Sequence, residues 1–90
     1  MGRHKFVVGD RVIIHPVVMK NIESNSSMTI PVCTSYLGPY WTDWEHPVPI
    51  CEGVIIERSE KPCVLVKVNF DGDEIIIEPG ILKFIKSETD

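Results

Sequence analysis

The chain has 90 residues, of which 43% are hydrophobic and 24% charged, with a formal net charge of −4. That length suits one domain and is too short for two, the composition is that of a globular protein and not a disordered one, and the acidic balance argues against a surface given over wholly to nucleic acid. Cys33, Cys51 and Cys63 are odd in number and hold no Cys-x-x-Cys pair, which excludes a complete disulfide framework within one chain and the usual zinc-ribbon or thioredoxin-like spacing.

The opening residues, Met1 to Phe6, include no apolar stretch of the signal-peptide kind, and no later run reaches transmembrane length. The expectation is a soluble, cytoplasmic protein with reduced thiols and no membrane partner. The first twenty residues carry Arg3, Lys5, Arg11 and Lys20 against Asp10 alone, so this end is basic while the remainder is acidic. Residues 6–18 are dense in β-branched side chains, which favour strand. Gly9-Asp10 is a turn signal. After it Val12 and Ile14 share one face, with Arg11, Ile13 and His15 on the other. Pro16 lacks a backbone donor, so the strand ends, bulges or lies at an edge there.

Residues 19–52 differ in character. Asn21 to Ser27 is polar and reads as loop, and Pro31, Pro39, Pro47 and Pro49 interrupt regular structure. No helical period runs through the stretch. Residues 28–32 suit a short strand, and the aromatic run from Tyr36 to Trp44 calls for packing of its own. This zone reads as an elaborated insert, ordered at least in part.

Strand grammar returns from Gly53. Residues 53–58 form one strand, Ser59 to Pro62 turn the chain, and Cys63 to Phe70 alternate in polarity. Asp71-Gly72 is the strongest hairpin signal present, because a type I′ turn needs positive φ at both central positions. A two-residue loop there pairs Phe70 with Asp73, Asn69 with Glu74, Val68 with Ile75 and Val66 with Ile77. That register puts Val64, Val66, Val68, Ile75 and Ile77 on one face, opposite Lys67, Asn69, Glu74 and Glu78. A slip of one residue would turn the isoleucines outward. Pro79-Gly80 then leads, through a single 3₁₀ turn, to a last strand over residues 83–86.

Val8-Gly9-Asp10-Arg11-Val12, Gly53-Val54-Ile55, Val66 to Asp73 and the closing Pro79 to Ile85 together resemble the SH3-like small β-barrel, the layout shared by Tudor, KOW and photosystem accessory-subunit domains. The resemblance covers a little over half the chain and is one of fold class. It implies an all-β domain over residues 1–90: an antiparallel barrel of about five strands drawn from 6–18 and 53–86, with a long insert at 19–52 between the first and second. Such folds host many unrelated functions, so activity has to be argued from residues.

The residues that carry chemistry lie in the insert. Tyr36, Tyr40, Trp41 and Trp44 fall within nine positions, beside Asp43, Glu45, Gly38 and Pro39. Rigid aromatic surface with polar tips suits peptide recognition, as in grooves that hold polyproline segments, and the two carboxylates favour a basic partner. The same rings would serve equally as a mini-core that anchors the insert. A KOW-like nucleic-acid module using Arg3, Lys5 and Arg11 is the rival reading, and a small acidic inhibitor of a host complex also fits the charge and size. No nucleophile is tied by spacing to a histidine. His46 and Cys51 match no metal motif, and there is no phosphate-binding glycine loop. The expectation is a binding or accessory module, not an enzyme, with no cofactor and no metal.

Overall fold

The computed structural model describes residues 5–25, 29–36, 44–61 and 63–87. In chain order the elements are β1 (Asp10–Ile14), α1 (Pro16–Asn25), β2 (Thr29–Val32), β3 (Trp44–Pro47), β4 (Gly53–Ser59), β5 (Leu65–Phe70), β6 (Asp73–Ile77), a 3₁₀ turn (Pro79–Ile81) and β7 (Leu82–Ser87). Strand dominates, with one α-helix among the described residues.

Five strands form one antiparallel sheet in the order β6-β5-β4-β1-β7, and β2 with β3 makes a separate two-stranded ladder. The expected hairpin register is found pair for pair, from Phe70↔Asp73 to Val66↔Ile77. Asp71 and Gly72 both take positive φ, 56° and 96°, as the tight turn requires, and the Gly72 amide donates to Asn69 Oδ1 at 2.6 Å. Val66, Val68, Ile75 and Ile77 are buried together. Val64 departs from the expected face: it precedes β5 and is 38% exposed.

The expected barrel does not close among the described residues. β6 and β7 stay unpaired with each other, and the outer side of β6 is taken by Cys33, whose amide donates to the Ile76 carbonyl at 2.8 Å. Register shifts between Arg11 and Val12, and between Ile55 and Glu57, bend the sheet locally without bringing its two outer strands together.

The core draws on Val12, Ile14, Ile55, Val66, Val68, Phe70, Ile75, Ile77 and Leu82 of the large sheet, with Ile30 and Val32 of β2. The insert is therefore part of the core, since Ile30 is fully buried. Full burial of a side chain of this size contributes roughly 1.5–3 kcal/mol. Leu65 and Ile76, which strict alternation assigns to the outer face, are buried as well. Cys33 shares their cluster, and Tyr36 and Cys63 pack against it. Gly53 marks the closest approach in this core, because a Cβ there would lie 2.5 Å from Val68 Cγ1 and 2.7 Å from Phe70 Cδ1.

Two readings of the insert are corrected. Residues 16–25 are helix, not strand end and loop. Pro16 holds the first helical position, where its missing donor and fixed φ are no handicap. The His15 carbonyl accepts from Met19 N at 3.0 Å, and its Nδ1 accepts from Val17 N at 3.2 Å, so the histidine caps the helix. Val18 and Met19 pack on the core while Val17 stays exposed, too narrow an apolar stripe to show as a period. Pro31 and Pro47 lie inside β2 and β3. A two-stranded ladder leaves each strand one free edge, where proline removes no bond.

Candidate functional site

The β2–β3 ladder runs antiparallel from Thr29↔Pro47 to Val32↔Trp44. Its last pair sets Val32 and Trp44, the residues that flank positions 33–43, side by side. On one flank Cys33 is bonded to β6. On the other, Glu45 Oε1 accepts from Thr29 Oγ1 at 3.0 Å across the ladder. Tyr40, Trp41 and Asp43 lie outside the described residues, as does the side chain of Trp44, so of the six residues assigned to a partner surface the structure places Tyr36 and Glu45 in full.

Tyr36 is an anchor for the segment. Its ring packs on the cluster of Cys33, Leu65 and Ile76, and its hydroxyl donates to Glu57 Oε1 at 2.6 Å. Burial, then the bond to Glu57 and that carboxylate's negative charge, push the phenol well above its ordinary range. The Glu57 carboxyl moves the other way, held below its usual value by the Tyr36 hydroxyl first and then by Lys67, whose Nζ is 3.6 Å away. Thus the segment after β2 is joined to β4 and β5 through a Tyr–Glu–Lys chain.

A second clasp sits nearby. His46 of β3 places Nε2 at 2.9 Å from Asp73 Oδ2 at the start of β6, and its Nδ1 lies 2.6 Å from the Pro47 carbonyl oxygen. Both ring nitrogens face acceptor oxygens. His46, Asp73, Cys33, Lys67 and Glu74 line an open groove of about 410 Å³. The ingredients of a Cys–His–Asp arrangement thus share one groove. Among the described residues no group of three or more His, Cys, Asp or Glu side chains is gathered for a metal ion.

Of the basic residues named from the sequence, Lys5 and Arg11 lie against different carboxylates. Arg3 lies outside the described residues. Lys5 Nζ sits 3.8 Å from Glu60 Oε2, and Arg11 Nη1 sits 3.6 Å from Glu52 Oε1, with Arg11 Nε buried and unpartnered. Lys5 instead lines a different groove, of about 800 Å³, with Phe6, His15, Arg58, Lys83 and Phe84. Sequence reading missed this groove and both clasps. Arg58 and Lys83 belong to strands far apart in the chain, and only the ladder order of β4, β1 and β7 brings them to one side. Among the described residues no helix is long and apolar enough to cross a membrane. No protein-family model, no curated protein and no solved structure matches this chain.

Proposed function

We propose that this chain is a small protein-binding or accessory module built on an SH3-like sheet. Tyr36, Tyr40, Trp41, Asp43, Trp44 and Glu45 form its surface for a basic or proline-rich segment of another protein. The strand order supports the fold part of this reading: β4, β5 and β6 run on as a meander and β7 returns beside β1, an SH3-like order. The observation that carries the functional part is the pairing Val32↔Trp44 together with the Cys33–Ile76 bond. These contacts hold both ends of the aromatic segment on the folded core, so less ordering entropy is lost when a partner binds. Asp43 and Glu45 supply the negative charge that selects a basic partner.

The test is an array of proline-rich peptides, with and without flanking arginines, probed with the wild-type chain and with Trp41→Ala/Trp44→Ala. The reading expects arginine-flanked peptides to be retained by the wild type and lost by a double variant that still melts cooperatively near the wild-type temperature. Equal retention by both chains, or a double variant that no longer folds, would overturn it.

A further inference from the structure

We infer that the groove lined by Lys5, Phe6, His15, Arg58, Lys83 and Phe84 is a second binding site, separate from the aromatic insert, and that its occupant is a single-stranded nucleic acid. The groove is formed by the N-terminal segment, the end of β4, the 3₁₀ turn and the start of β7. Its volume of about 800 Å³ is that of a ligand-sized cleft.

Charge favours an anion here. The whole chain is acidic, at −4, yet Lys5, Arg58 and Lys83 converge on this groove, and no carboxylate lines it among the described residues. Glu60 lies 3.1 Å from Arg58 Nε and 3.8 Å from Lys5 Nζ and offsets part of that charge. Lys83 is exposed and has no ion pair among the described residues. Arg58 is the fixed member: its Nη1 donates to the Phe6 carbonyl at 2.7 Å, so the guanidinium holds the N-terminal segment, with its lysine, against the end of β4. His15 accepts from Val17 N on Nδ1, which leaves its ring proton on Nε2 as a donor. The polar side chains of the lining are therefore cations and an imidazole, groups that suit anionic oxygens.

Shape narrows the class of anion. Phe6 and Phe84 are half-buried aromatic residues of the lining, and Phe6 also packs against the core. A nucleotide repeat supplies what this lining accepts, a phosphate for the cations and a flat base for the rings, and stacking of this kind tolerates any sequence. An acidic peptide would use the cations and leave the rings to chance.

The test uses a fluorescently labelled single-stranded oligothymidylate and polarisation at rising salt, with the full chain. Three phosphate contacts on a single strand give a slope of log K against log salt of about −2. Lys83→Glu should weaken binding at least tenfold, while Lys86→Glu, also exposed on β7 but outside the groove, should stay within about twofold. Phe84→Leu, which keeps an apolar side chain, should weaken it severalfold with little change in the salt slope. No binding at low salt, an equal loss with Lys86→Glu, binding of a mononucleotide as tight as that of the oligomer, or tighter binding of a poly-glutamate peptide would each overturn the inference.

Discussion

The hydroxyl of Tyr36 and the carboxylate of Glu57 lie 2.6 Å apart and hold the insert against the large sheet. Each residue shifts the other's ionisation, and the two shifts set opposite limbs of a stability profile. Glu57 ionises in the folded chain below its usual 4.5, so its favourable contacts are in full at neutral pH and fade as pH falls through the folded value. Tyr36 is raised above its usual 10.0, so its contribution is in full below that value and fades as the pH climbs above it. Melting temperatures of the wild type and Tyr36→Phe should therefore differ most at neutral pH and converge at both extremes. Absorbance titration of the wild type should show a late phenol ionisation that Tyr36→Phe lacks.

Asp10 is buried, and its Oδ2 accepts from the Val7 amide at 3.0 Å. Asp10→Ala strands that donor and should lower unfolding free energy by about 1–3 kcal/mol in urea titrations. The loss should come with faster hydrogen exchange over the first turn. A change within error would mean that water serves the amide as well as the carboxylate does.

Gly53 offers the sharpest steric test. Val68 Cγ1 and Phe70 Cδ1 both lie closer than 3.0 Å to the point a methyl carbon would occupy, so Gly53→Ala forces side chains of β5 to move. Overpacking of this kind costs about 1–3 kcal/mol, readable as a lower urea midpoint. Gly80→Ala, where a Cβ meets nothing within 4 Å, should change little.

Asp73→Asn removes the charge opposite His46. The pair is mostly exposed on the aspartate side, so global stability should fall by no more than about 1 kcal/mol. The local effect should be larger in kind: amides of β2 and β3 should exchange faster while those of β4 and β5 keep their protection.

The large sheet was legible in the sequence because period-two burial and turn chemistry agreed. Val66, Val68, Ile75 and Ile77 had to share a face once Asp71-Gly72 fixed the loop. Helix α1 was hidden because only Val18 and Met19 of its first turn and a half face the core, and because its cap is a histidine where serine or aspartate is the usual mark. Burial of Leu65 and Ile76 was equally hidden, since it depends on Cys33 and Tyr36 folding back over that face from about thirty positions or more away. The candidate surface was legible as composition, a cluster of rings. Its anchoring by Glu57, Lys67 and Asp73 was not, because those partners are ordinary strand-surface charges until β2 and β3 are laid beside them.

A partner surface on the aromatic segment requires its indoles to stand open on a fixed base before any partner arrives. Acrylamide quenching of tryptophan fluorescence reads this without ambiguity of source, since Trp41 and Trp44 are the only tryptophans in the chain. Strong quenching is expected in the free protein, with protection on adding an arginine-flanked proline-rich peptide. Indoles shielded in the free, folded protein and unchanged by any such peptide would contradict the proposed role.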